Sequence, residues 1–245
     1  MRIIKLDKVD STNSYLERES AKISDTVMVV ARCQTDGRGQ RGNGWESSPG
    51  ENLTFSVLFH PESFRAADQF SISEATALAV VDLLACHGIG SSVKWPNDIY
   101  VGDRKICGIL IHNTLMGIEI SHSILGVGIN VNQTNFVSDA PNPVSMKQIS
   151  GKTFDLEQIT TEIAGMLEKR LEMAGSESGR EILHREYMTC LWRGDGGFYP
   201  FRDTSAGLRF MAAIDSIAMD GLITLRLHDG TERGYRFKEV SFLLE

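Results

Sequence analysis

The chain has 245 residues, 42 % apolar and 23 % charged, with a formal net charge of −7. That size suits one large domain, or an ordinary domain with a small appendage. The acidic balance argues against non-specific nucleic-acid binding, which needs a basic surface. The isolated cysteines Cys33, Cys86, Cys107 and Cys190 form no C-x-x-C pair, which leaves out the common zinc motifs and fits reduced thiols. Residues 1–9, MRIIKLDKV, read as a first strand, and Ser11 or Thr12 is placed to cap a helix in SYLERESAKI. There is no signal peptide in this N-terminus, and no stretch reaches the ~18 apolar residues of a membrane span, so the expected location is the cytoplasm.

Residues 26–34, TVMVVARCQ, are β-branched and read as a buried strand. The loop after it contains Gly37-Arg38-Gly39-Gln40-Arg41-Gly42, which fits the G-x-G-x-x-G fingerprint of dinucleotide sites. That fingerprint requires a helix next, and NGWESSPGEN is no helix, so the dinucleotide reading fails. LTFSVLF (53–59) is a strand. Ser71 and Glu74 have capping-box spacing ahead of an apolar helix ending near His87-Gly88. VKWPNDIYV makes two short extended pieces around a turn at Pro96-Asn97-Asp98. A second turn, Gly102-Asp103-Arg104, leads into the strand KICGILIHN. In the following strand, GIEISHSILGVGINVN, alternation puts Asn130 and Asn132 on one face. From Asp155, a capping residue, the pattern becomes helical with Ile159, Ile163, Met166 and Leu167 on one side. A second helix covers SGREILHREYMTCLW. Beyond Arg193 come short strands with turns at Gly194-Asp195-Gly196, Asp220-Gly221 and Asp229-Gly230.

Four clusters could carry chemistry. Ser11-Thr12-Asn13 is a run of hydrogen-bonding side chains. The glycine loop holds Arg38 and Arg41, with Gln34 before it and Trp45 after it. Arginine recognises carboxylate and phosphate with paired donors, and the glycines let backbone approach a ligand closely. Lys94-Trp95-Pro96-Asn97-Asp98, followed by Arg104-Lys105, offers point charges for anions and an Asp able to hold Mg²⁺ or position an amine. Gly126-Val-Gly128-Ile-Asn130 offers a buried amide. The sequence contains no zinc-peptidase, serine-hydrolase or Walker motif.

In this order the motifs DSTN, Q-x-x-GRG-x-RG-x-x-W, KWPNDIY…RKICGIL and GVGINVN resemble those of biotin–protein ligases, over nearly the whole chain. The resemblance implies an α+β fold with a mixed β-sheet and helices, related to class II aminoacyl-tRNA synthetases. It would comprise a catalytic domain over 1–190 and a small SH3-like β domain over 191–245. It further implies a monofunctional enzyme without the N-terminal DNA-binding domain of some relatives, hence no DNA partner, no membrane, and a monomer or weak homodimer. Its reaction would use MgATP to activate biotin as biotinyl-5′-AMP, then pass biotin to a lysine of a biotin carboxyl carrier domain.

By resemblance, Ser11, Thr12, Asn13 and Gln34 would line the ureido pocket. Arg38, Gly39 and Gln40 would close over biotin and the adenylate. Lys105 would lie near the carboxylate. Arg41, Trp45, Lys94, Asn97 and Asn130 would serve the nucleotide, with Trp45 near the adenine. Arg38, Lys94, Asp98 and Lys105 form the catalytic set, and Asp98 is also the candidate metal ligand. Gln40 departs from the family, where many members carry arginine, and that departure implies looser retention of the intermediate. Lipoate–protein ligase and a non-enzymatic biotin or nucleotide sensor are the alternatives.

Overall fold

A computed structural model describes residues 1–40, 43–138 and 142–244. The alternation in LTFSVLF and SILGVGI shapes its first sheet. On β3 (Leu53–Phe59) and β7 (Glu119–Ile129), Leu53, Phe55, Val57, Leu125, Val127 and Ile129 all enter the main hydrophobic core. The residues between them point to the opposite face, as a period of two requires. Around this pair lie β1 (Arg2–Val9), β2 (Val27–Gln34), β4 (Ser92–Lys94), β5 (Asp98–Val101) and β6 (Arg104–Met116), in the order β1-β2-β3-β7-β6-β5-β4. Only β1 and β2 run parallel, linked by α1 (Thr12–Glu19); the other neighbours are antiparallel.

The core face is covered by α2 (Phe70–Cys86), α4 (Leu156–Ala174) and α5 (Glu177–Thr189), while α3 (Met146–Ser150) is a short turn after β7. Asp155 caps α4 as its sequence predicts, accepting from the Glu157 N–H at 2.9 Å. Ile159, Ile163 and Leu167 are buried, and Met166 sits at the margin. The Ser71–Glu74 capping box does not form. The helix begins earlier, at Phe70, so Ser71 lies inside it and bonds the Asp68 carbonyl at 2.7 Å. Glu74 is fully buried against His184 Nδ1 at 2.7 Å. Likewise Ser11 occupies the N-cap position of α1 without a side-chain cap bond. Ala66–Cys86 is long and apolar enough to cross a bilayer by length and composition, against the sequence expectation. Its apolar window is 67 % buried within the protein, and a core helix meets that test as well.

The remaining strands, β8 (Tyr199–Asp203), β9 (Arg209–Ile217), β10 (Ile223–Leu227), β11 (Glu232–Tyr235) and β12 (Val240–Phe242), form an antiparallel sheet ordered β11-β10-β9-β8-β12. The turns at Asp220-Gly221 and Asp229-Gly230 close hairpins, each with glycine at positive φ and aspartate capping the residue two on. The turn at Gly194-Asp195-Gly196 lies instead in the connection from α5. Both sheets share one apolar cluster, which extends to Phe201, Ile217 and Leu225. Trp95 Nε1 donates to the Gly221 carbonyl at 3.1 Å, and Val93 exchanges backbone bonds with Cys190 and Trp192 at 2.7 and 2.9 Å. The C-terminal sheet is thereby fixed beside β4.

Candidate functional site

Opposite the helix-covered face, a cleft of about 860 Å³ runs across β2, β3, β7, β6 and β5. Its floor exists because two positions carry no side chain. A Cβ on Gly126 would overlap the Asn13 amide, and one on Gly128 would overlap the Trp45 indole. The alternation that buries Leu125, Val127 and Ile129 therefore clears space on the other side.

One end is polar and neutral. Thr12 donates its N–H and its hydroxyl to Gln34 Oε1 at 2.7 and 3.2 Å. Ser56, from β3, lies with its hydroxyl 2.7 Å from Thr12 Oγ1 and donates to Asn13 Oδ1. Asn13 Nδ2 donates to the Leu110 carbonyl at 3.3 Å. Ser11, Thr12, Asn13 and Ser56 are all buried. Donors and acceptors fixed in this way, away from water, suit a compact polar head group. Ser56 lies outside the four sequence motifs. Its signal was there: a lone serine between Phe55 and Val57 in an apolar strand.

The other end is cationic. Lys94 and Asp98 face each other across the β4–β5 pair, so the turn is Trp95-Pro96-Asn97 and Asp98 opens β5. The Trp95–Pro96 bond is cis. Asn97 clips this turn to β6: its Nδ2 donates to the Ile109 carbonyl, and its own carbonyl accepts from the Ile109 N–H at 3.1 Å. Lys105 Nζ pairs with Asp98 Oδ1 at 2.7 Å and lies 5.6 Å from the Trp45 ring centre. Lys94 Nζ donates to Tyr100 at 3.0 Å, with Trp192 and Phe242 rings 5.9 Å away. Burial pushes the Lys94 ammonium below the usual lysine range; Lys105 and Arg193 add to this, and Asp98 opposes it. Burial pushes the Tyr100 phenol up, so it remains a neutral hydrogen-bonding group. Phe237 and Phe242 of the C-terminal region line the cleft as well, a contribution its sequence did not announce.

In the glycine loop, residues 37–39 pair back on residues 43–45. Gly39 N–H donates to the Asn43 carbonyl at 2.7 Å and Trp45 N–H to the Gly37 carbonyl at 2.8 Å. No helix follows, as the composition predicts. Gln40 and Gly39 line the cleft. Arg38 also reaches its lining, but its guanidinium pairs with Glu17 of α1 at 3.4 Å. Arg41 lies outside the described residues.

Asn130 and Asn132 do not share a strand face, because β7 ends at Ile129. The Asn132 amide is spent on Phe154, donating to its carbonyl and accepting from its N–H, both at 2.9 Å. Asn130 does reach the cleft. Its Nδ2 donates to the Val144 carbonyl at 3.1 Å, while its buried Oδ1 and the buried Trp45 Nε1 have no partner among the described residues. Orphaned buried groups in a cleft are groups a ligand can satisfy. Among the described residues, no three or more His, Cys, Asp or Glu gather into a metal cage. Asp98 is held by Lys105.

Comparison with known proteins places the chain in a family. The profile of the Biotin/lipoate A/B protein ligase family matches residues 6–130, from β1 through Asn130. The bifunctional ligase/repressor BirA of Salmonella typhimurium is 31 % identical over 183 residues, covering 74 % of this chain and 57 % of its own length. The biotin–[acetyl-CoA-carboxylase] ligase of Paracoccus denitrificans is 31 % identical over 159 residues, covering 62 % of this chain and 66 % of that one. The chain thus spans little more than half the length of the BirA relatives, 57 % and 55 % for two of them. A biotin protein ligase from Aquifex aeolicus, solved with biotin and ATP, superposes with a TM-score of 0.82 over 100 % of this chain and 99 % of that one, at 23 % identity, a likeness of fold. With the family profile covering half the chain, this chain belongs to the biotin/lipoate A/B protein ligase family.

Proposed function

We propose that the protein is a biotin–protein ligase. The observation that carries this reading is the division of one cleft into a neutral polar end, Thr12, Asn13 and Gln34 backed by the buried Ser56, and a cationic end, Lys94 and Lys105. A cyclic urea presents paired N–H donors and a carbonyl, which the first end can match. The second end can neutralise a carboxylate and a polyphosphate as they approach.

In the first step a biotin carboxylate oxygen attacks the α-phosphorus of ATP. The bond to the bridging oxygen breaks, and pyrophosphate leaves with the electron pair. Lys105 and Arg38 hold the reacting carboxylate and the charge developing on the phosphate. Lys94, Arg41, Asn97, Asn130 and Trp45 hold the nucleotide, and Gly39 and Gln40 cover the adenylate. Magnesium carried in with ATP supplies further neutralisation of the phosphates, and the unpartnered Asn130 Oδ1 is a hard oxygen of the kind that suits it. In the second step a neutral lysine amine of a carrier domain attacks the acyl carbon, and AMP leaves. Asp98 orients that amine and accepts its proton. We place the division between the catalytic unit and the C-terminal unit near residue 190, within the segment that Cys190 and Trp192 stitch to Val93.

Pyrophosphate release with biotin or with lipoate, followed by labelling of a carrier-domain fragment, tests the reading. Release with biotin alone, and biotin on the fragment, is expected. Release with lipoate alone would move the chain to the sister branch of the family, and binding without release would make it a sensor. Asp98→Asn should slow transfer from preformed biotinyl-AMP. Gln40→Arg should slow dissociation of that intermediate, since it restores a cation over the adenylate.

A further inference from the structure

Directly after Trp45 comes a carboxylate that the proposed chemistry has no use for. A negative charge at the mouth of an anion-binding cleft repels the ligand less when donor dipoles converge on it. They converge on Glu46. Its Oε2 accepts from the Ser138 N–H at 2.7 Å and the Val137 N–H at 3.1 Å, and its Oε1 from the Val137 N–H at 3.0 Å and Gln133 Nε2 at 2.9 Å. Successive backbone N–H groups converging on one anion form a nest, a geometry that commonly holds phosphate. Here a side chain of the same protein fills it. Burial raises the Glu46 carboxyl, but the bonds from Ser138, Val137 and Gln133 outweigh it and hold the group below the usual range.

Besides Glu46, the captured segment is held by polar bonds, among them Gln148 Nε2 donating to the Thr134 carbonyl at 2.9 Å. Residues 134, 135, 137 and 138 are exposed, Val137 being 91 % accessible. Apolar burial therefore does not fix its path. Yet it supplies Phe136 and Ser138 to the cleft wall. Beneath it Gln133, buried, accepts from the Ser48 N–H at 2.9 Å and from Asn52 Nδ2 at 2.5 Å, and donates to the Asn135 carbonyl at 2.8 Å. Farther along, residues 142–144 pair with the cationic end: Lys105 N–H donates to the Asn142 carbonyl and Val144 N–H to the Lys105 carbonyl, both at 2.9 Å.

We propose that Glu46 is a positioning residue, a tethered anion that fastens the wall carrying Phe136 and Ser138 to the end of the glycine loop and so builds the nucleotide side of the cleft. This rests on the biotin–ATP reading above. It predicts a split effect. Glu46→Ala should raise the KM for ATP about tenfold, the scale of losing charge-assisted bonds to backbone. At saturating ATP, kcat should change by less than about threefold, because no reacting atom touches Glu46. Biotin affinity measured without nucleotide should stay within about twofold, since the neutral end makes no bond to Glu46. Glu46→Gln keeps an acceptor but loses the charge, and should fall between the two.

The experiment is pyrophosphate release against ATP concentration for the native protein and both variants, with calorimetric titration of biotin alone and a thermal melt of each. A KM for ATP unmoved in Glu46→Ala overturns the inference. So does an equal loss of biotin affinity or a collapsed melt, because Glu46 would then be a general structural support. Pyrophosphate release by the native protein that does not depend on biotin sinks the biotin reading itself. Biotin-dependent release with an unmoved ATP KM sinks only the tether.

Discussion

The two faces of the seven-stranded sheet are made by the same strands and do opposite jobs. On β7, Leu125 pairs laterally with Val57 and Ile111 on the side covered by α2 and α4. The next residue, Gly126, pairs with Ser56 and Leu110 on the side open to ligand. One face gains free energy by filling space with its own side chains; on the other, Gly126 and Gly128 leave room for the Asn13 amide and the Trp45 indole that line the cleft. Adjacent residues should therefore fail differently. Leu125→Ala should cost about 3 kcal/mol of stability by creating a cavity, and leave the biotin affinity of the folded fraction unchanged. Chemical denaturation followed by biotin titration checks this; loss of affinity without loss of stability would contradict the division of labour. Gly126→Ala should tip the balance the other way. Its Cβ displaces the Asn13 amide from its place in the pocket, so biotin binding should weaken about 100-fold, while the overpacking should cost only about 1–2 kcal/mol, less than the Leu125 cavity.

Ser56→Ala sharpens the same contrast. It removes the hydroxyl that bridges Thr12 and Asn13 without opening a large space. About tenfold weaker biotin binding is expected, the worth of a buried hydrogen bond left incomplete. An unchanged affinity would mean that the neutral end does not receive the polar head of the ligand.

The contrast also explains what could be read in advance. Strands β2, β3 and β7 follow from their alternation and β-branched residues, and the Asp155 cap and the Asp-Gly hairpins follow from local chemistry. The polar and cationic motifs follow from residue type. What failed were inferences needing an element end or a tertiary partner. Ser71 and Glu74 match a cap only if the helix starts after them, and packing started it at Phe70. Asn130 and Asn132 share a face only while the strand continues, and it stops at Ile129. Ser56, Glu46 and Phe242 gain their roles from partners far along the chain, at Asn13, Ser138 and Lys94, so no window of sequence holds both halves.

The smallest expected effect lies at the cationic end of the cleft, at Lys94. Its ammonium is enclosed by Tyr100, Trp192 and Phe242, and burial, with Lys105 and Arg193, shifts it toward the neutral form against the pull of Asp98. To meet a phosphate it must be protonated. Raising the pH through a depressed pKa removes that charge, so the KM for ATP should climb by a few-fold at a pH below the 10.5 of an ordinary lysine. Stability moves the other way. Between the folded and unfolded pKa values the unfolded chain binds more protons at this site, so the Lys94 contribution to stability rises with pH across that window. Weaker nucleotide binding in alkali is then a local loss of charge rather than early unfolding. Lys94→Arg separates the two, because guanidinium stays charged throughout and its alkaline limb should vanish. If the limb persists unchanged in Lys94→Arg, the titrating group is another one, and the cationic end owes its pH response to a residue other than the lysine enclosed by the C-terminal sheet.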